Sequence, residues 1–89
     1  MRTVIAYDIS CNRARLRAAR LCRDYLRRVQ RSVFEGDVTT AHLEELLGQL
    51  EPLLDPDGDS IRAYTLCERC AAGTAVLGEP AVMDDELVV

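Results

Sequence analysis

The spacing of apolar residues changes from segment to segment along this chain. Residues 2–8 hold Val4, Ile5, Ala6 and Tyr7 as an unbroken apolar run closed by Asp8. A run this short reads as a buried central strand. Ser10 or Asn12 then stands where a helix cap is needed. Over 13–27, at about 100° per residue, Ala14, Ala18, Ala19, Leu21, Cys22, Tyr25 and Leu26 share one broad helical face. Arg13, Arg17, Arg20, Arg23 and Arg27 fall on the opposite arc, with Asp24 among them; Arg15 and Leu16 break the partition.

Residues 28–38 alternate in part and are rich in β-formers, which predicts two short strands around a sharp bend near Arg31-Ser32. Gly36 there allows a bulge or a close backbone approach. Thr39 or Thr40 caps a second helix. Its leucines 43, 46, 47, 50, 53 and 54 repeat at i, i+3, i+4, i+7, i+10 and i+11, a stripe that faces a core. Pro52 ends or kinks that helix near Glu51. The run Asp55-Pro56-Asp57-Gly58-Asp59 is a turn. Residues 60–66 alternate as a half-buried strand with Ile61, Ala63 and Thr65 on one side. The order β-α-β-β-α-β is that of an α+β, ferredoxin-like domain spanning residues 1–66. The segment 67–89 adds two β-prone pieces, Ala75-Val76-Leu77 and Leu87-Val88-Val89, which are too short to stand alone and are expected to join a sheet edge.

A chain of 89 residues is marginal as a monomer, so pairing with a second copy is a natural way to complete its core. The apolar run at the start is too short for a signal peptide, and nothing approaches the ~18 apolar residues of a membrane span, so the expectation is a cytoplasmic protein without membrane contact. In that compartment Cys11, Cys22, Cys67 and Cys70 are reduced thiols or metal ligands.

The net charge of −4 conceals a strong asymmetry. Residues 1–34 carry nine Arg against two Asp, a balance of +7, and residues 35–89 carry two Arg against thirteen Asp and Glu, a balance of −11. Solvated helix faces usually mix signs; an arc of arginines points to phosphate contact. Such binding is driven by backbone shape and charge, because no helix offers Asn or Gln to base edges, and Phe34 is the one phenylalanine available for stacking. Tyr7, Tyr25 and Tyr64 read as core or interface residues.

Three segments together resemble the CRISPR-associated protein of the second core family: Ala6-Tyr7-Asp8-Ile9-Ser10, then Arg28 through Gly36 (RVQRSVFEG), then Asp59 through Leu66 (DSIRAYTL) before Cys67. The middle segment is the specific one. The resemblance implies a ferredoxin-like homodimer whose C-terminal strand crosses onto the partner's sheet. It implies an adaptation subunit that bridges the integrase of the first core family and holds double-stranded DNA during spacer acquisition. It also implies a metal-dependent endonuclease acting on single-stranded RNA or double-stranded DNA, with magnesium or another divalent cation as cofactor. Asp8 matches the family's metal-binding, catalytic aspartate. Arg15, Arg17, Arg28 and Phe34 match positions near it, and Ser10 and Ser32 lie beside them as hydrogen-bonding support. With the charge pattern added, Arg13, Arg15, Arg17, Arg20, Arg28 and Arg31 are the expected nucleic-acid contacts. Two departures stand out: Leu26 where the family often has glycine, and Cys11 where it often has an acid.

Each feature has a plainer alternative. Asp8 could instead cap the following helix, or stand idle in a scaffold that needs only arginines. One carboxylate holds magnesium weakly, but a two-fold axis would supply a second. The pair Cys67-Glu68-Arg69-Cys70 is a weak zinc or redox signal beside a pair of reduced thiols at a strand end. The 55–59 turn fails as a calcium loop, its glycine standing fourth rather than sixth. His42 is lone and solvated. The acidic stretch from Glu79 to Glu86 either meets the integrase or blunts a strand edge. A ferredoxin-like regulatory module that binds a ligand and no nucleic acid is the alternative function.

Overall fold

The computed structural model describes residues 1–78. Seven regular elements and one short turn of 3-10 helix follow in order: β1 (Arg2–Asp8), α1 (Asn12–Arg23), β2 (Arg27–Gln30), β3 (Val33–Asp37), α2 (Thr40–Leu50) running into the 3-10 turn Glu51–Leu53, β4 (Ser60–Leu66) and α3 (Glu68–Ala72). The strands form one sheet in the order β2-β3-β1-β4 with antiparallel neighbours, the ferredoxin-like arrangement.

Strand β1 holds the centre. Its register runs from Arg2 opposite Asp37 to Ala6 opposite Val33 on one side, and from Arg2 opposite Leu66 to Asp8 opposite Ser60 on the other. Burial alternates along it: Thr3, Ile5 and Tyr7 are buried, while Arg2, Val4 and Ala6 are half-buried. The expected central strand is observed, but its burial alternates. Only one side is covered in the single chain, because both long helices pack there.

That covered side is the core. Ile5 and Phe34 meet α1 through Ala18, Ala19 and Cys22, and α2 through Leu43, Leu46 and Leu50. Small residues on α1 let it approach closely, and the α2 leucines fill the remaining volume. The other side presents Val4, Ala6, Val33, Glu35, Arg62 and Tyr64, which share rows across the strands.

Helix ends explain the boundaries. Thr39 Oγ1 accepts from the His42 amide at 3.1 Å, which fixes the start of α2. Pro52 lies in the 3-10 turn that closes it. At α1 the N-cap residue is Cys11, with no side-chain cap bond, so neither Ser10, Asn12 nor Asp8 fills the expected role. The helix also ends earlier than its periodicity suggested: Leu26 N donates to Cys22 O at 2.7 Å, and Arg27 already belongs to β2. Arg27 therefore leaves the helical arc and pairs across the sheet with Glu35.

The β2–β3 hairpin turns at Arg31-Ser32 and carries a register shift between Arg28 and Gln30. Gly36 is the site of a close approach. A methyl group there would meet Leu26 Cδ2 at 3.2 Å and Leu26 Cα at 3.5 Å.

Beyond β4, the helix α3 has no counterpart in the sequence expectation, and Ala75–Leu77 forms no strand. Val76 and Leu77 are exposed, Leu77 at 96%. Among the described residues this apolar piece pairs with no strand. The second β-prone piece, Leu87–Val89, and the acidic stretch Glu79–Glu86 lie outside the described residues. Among those residues, no helix is long and apolar enough to cross a membrane.

Leu46 is fully buried between α2 and the sheet. Leu46→Ala is expected to destabilise the fold by about 2–5 kcal/mol, measured as a lower denaturant midpoint with an unchanged slope; a loss under about 1 kcal/mol would contradict this packing.

Candidate active site

The end of β1 and the loop after it gather the residues singled out above. Asp8 is exposed at the last position of the strand, opposite Ser60 of β4. The Tyr7 amide donates to Ser32 O at 3.0 Å, which draws the β2–β3 turn alongside. A cleft of about 240 Å³ results, lined by Tyr7, Asp8, Ile9, Arg15, Arg31 and Ser32.

Arg15 builds the floor of this loop. Its Nη1 donates to Ile9 O at 2.8 Å and Ser10 O at 2.9 Å, and its Nη2 bonds Asn12 Oδ1. Sequence reasoning placed Arg15 on a phosphate; here its guanidinium fork is spent on backbone carbonyls. The planar fork suits that work, because several donors can serve adjacent acceptors at once.

Asp59 is the residue sequence reasoning missed. Its Oδ1 accepts from the Ser10 amide at 3.0 Å and the Ser10 hydroxyl at 3.1 Å, and its Oδ2 accepts from the Asp55 amide at 2.9 Å. The α2–β4 connection is thereby pinned to the β1–α1 loop. The Asp55 amide first, and the Ser10 amide next, hold the Asp59 carboxyl below the usual carboxylate range. Asp59 had been read only as part of a turn, and a contact 49 residues away leaves no local signal. Ser10 thus supports the loop through Asp59.

The arginines divide by environment. Arg13, Arg17 and Arg20 are exposed on α1, and Arg31 is exposed at the hairpin. The first turn of α1 contains no acidic residue. Arginines beside the positive end of a helix weaken the helix slightly but favour an anion there. Arg28 is different: it is 2% exposed, with its guanidinium carbon 5.2 Å from the centroid of the Phe34 ring. As placed, Arg28 cannot reach an external phosphate. It lies in the core because the β2–β3 register sets it opposite Phe34, on the covered side of the sheet. Tyr7 lies 6.1 Å from Phe34, ring to ring, and burial pushes its hydroxyl pKa up against the opposing pull of Arg28. Phe34 is therefore a core platform for Arg28 and is not available for stacking on a base.

For a divalent cation, Asp8 is an exposed carboxylate at the cleft, and Asp59 is already committed to Ser10 and Asp55. Among the described residues, no group of three or more His, Cys, Asp and Glu could hold a metal. One chain thus supplies less than the donor set of a protein-enclosed site. It does suit a hydrated magnesium ion, which keeps its waters and takes one or two carboxylates.

Comparison with known proteins decides the family. The family description "CRISPR associated protein Cas2" matches residues 1–73. The chain belongs to the Cas2 family. A Cas2 protein of Frankia alni, named CRISPR-associated endoribonuclease Cas2, is 39% identical over 88 residues, covering 99% of this chain and all of the relative. One of Chloroflexus aurantiacus with the same endoribonuclease name is 38% identical over 77 residues, covering 85% of this chain and 83% of the relative. The crystal structure of Streptococcus pyogenes Cas2 superposes with a TM-score of 0.75 at 38% identity, covering 88% of this chain and 100% of that one. A chain in a partial Cas6-RT-Cas1–Cas2 complex superposes with a TM-score of 0.68 at 26% identity, over 92% of this chain and 97% of that one.

The Asp59 network gives this Cas2 chain a pH signature. A carboxyl whose pKa is depressed by folding contributes stability above its unfolded value and loses it as pH falls through the folded value. Asp59→Asn is therefore expected to be less stable than the parent at pH 7, with the gap closing below about pH 4. Denaturant midpoints measured across that range check it, and a gap independent of pH would be incompatible with the network.

Proposed function

We propose that this chain is a homodimeric Cas2 subunit of CRISPR adaptation that grips nucleic-acid backbone and joins a Cas1 integrase in the cytoplasm. The likeness to a chain of a Cas1–Cas2 assembly over 92% of its length carries the reading. The uncovered side of the sheet supports the dimer. Val4, Ala6, Val33 and Tyr64 form an apolar patch there, edged by Glu35 and Arg62, of the kind a second copy covers. In this reading the part of the chain that follows α3, and not residues 68–72, crosses onto the partner's sheet, which gives exposed Val76 and Leu77 a place to bury.

Phosphate contact rests with Arg13, Arg17 and Arg20 on α1 and with Arg31 at the cleft. Each phosphate neutralised releases counterions, so affinity falls steeply with salt. Double-stranded DNA is the adaptation ligand in this reading, and single-stranded RNA or double-stranded DNA the nuclease substrate.

The nuclease chemistry centres on Asp8. Asp8 residues from two copies would hold one magnesium or other divalent ion, and that ion would supply an activated water and charge neutralisation at the phosphate. The rest belongs to the protein. Arg15 fixes the loop that sets Asp8 against the cleft, Asp59 holds Ser10, and Ser32 lines the opposite wall. Arg31 stands where a scissile phosphate would enter.

Sedimentation is expected to give twice the 9.9 kDa chain mass, and a stable monomer would sink the reading. Asp8→Ala is expected to abolish cleavage of both RNA and DNA while leaving spacer integration with Cas1 intact. Loss of integration in a folded Asp8→Ala dimer would instead make the carboxylate essential to adaptation. In filter binding to duplex DNA, the Arg13→Ala/Arg17→Ala protein is expected to show a salt slope smaller by roughly 0.9 per phosphate contact removed. Salt-independent binding, or none, would favour the regulatory module.

A further inference from the structure

Cys67 and Cys70 form a motif that neither the arginine surface nor the Asp8 cleft uses. Cys67 is the extended residue that caps α3 directly after β4. The Ala71 amide closes the first turn on Cys67 O at 2.9 Å, and the Cys70 amide donates to Cys67 Sγ at 3.5 Å. Both thiols are free and exposed. A single turn of this kind keeps its end Cα atoms within about 7 Å, compatible with the roughly 4.4–6.8 Å that a disulfide needs. The Cys70 amide first, and its thiol second, hold the Cys67 thiol below its ordinary range. A thiolate is the nucleophile in disulfide exchange, so the sulfur that is stabilised is the one that attacks. It also has access: Cys67 lines a cleft of about 720 Å³ with Met1, Arg2, Asp37, Leu66 and Glu68.

The other two cysteines are internal controls. Cys11 is exposed and caps α1 with the same backbone turn, the Arg15 amide donating to Cys11 O at 2.9 Å, but its side chain makes no cap bond. Cys22 is buried, and burial pushes its thiol up to about 12.

We propose that Cys67 and Cys70 are a thiol–disulfide exchange site, with Cys67 attacking a low-molecular-weight disulfide and Cys70 resolving it. The Cys67 thiolate forms a bond to one sulfur of the small disulfide and expels the other half as a thiolate. Cys70 then gives up its proton, bonds to the Cys67 sulfur and expels the second half. The two protein thiols are oxidised by two electrons and the small disulfide is reduced to two thiols. The product disulfide locks the turn where the chain leaves the sheet for residues 67–89.

The test uses the reduced full chain with oxidised glutathione at pH 7, read by peptide mass spectrometry. The expected product is a Cys67–Cys70 disulfide within one chain. Cys70→Ser is expected to retain glutathione on Cys67. Cys67→Ser keeps a competent helix cap and is expected to leave Cys70 slow. Iodoacetamide is expected to label Cys67 about tenfold faster than Cys11, with Cys22 silent. Equal rates at Cys11 and Cys67, glutathione accumulating on Cys11, or disulfides formed mainly between chains would overturn the proposal. None of these readouts depends on nucleic-acid binding or nuclease activity.

Discussion

The fold depends on a single strand bonded along both edges. β1 pairs with β3 on one side and β4 on the other, so its seven residues fix the register of three strands at once. A slip by one residue would turn Ile5 and Tyr7 outward and put Val4 and Ala6 under the helices. Because Asp8 is the last residue of that strand, the position of the cleft follows from the same register. Core and site are set by one set of backbone hydrogen bonds.

Arginine illustrates how one residue type is divided among duties by its surroundings. On the outer side of α1, at Arg13 and Arg17, it is an exposed surface charge. At Arg15 it is a brace for a loop of carbonyls. At Arg28 its guanidinium carbon stands over an aromatic ring inside the core, 5.2 Å from the ring centroid, where the cation meets the π face. A buried guanidinium is costly without such neighbours. Substituting these arginines would therefore read out three different properties: surface charge, loop order and folding.

Much of this was legible from spacing alone. Period-two and period-3.6 patterns located β4, the α2 stripe and the β2–β3 bend, and charge counting located the basic half. What spacing could not supply was what each polar side chain touches. Arg28 sits in a segment that reads as alternating, yet its strand register sends it inward. Asp59 looked like turn chemistry because its Ser10 contact spans half the chain. Helix α1 looked longer because Tyr25 and Leu26 continue its apolar face after the backbone has already left it; Tyr25 instead bonds Glu45 and lies near His42, tying the helix exit to α2. Helix α3 was hidden because five residues hold too few positions for a period to emerge.

The closeness of Gly36 to Leu26 couples the sizes of two side chains. Leu26 fits against β3 because residue 36 has no side chain: a methyl group there would meet Leu26 Cδ2 at 3.2 Å. Two positions ten residues apart then behave as one volume. A hairpin grafted in with a larger residue at 36 would crowd Leu26 unless residue 26 shrank with it.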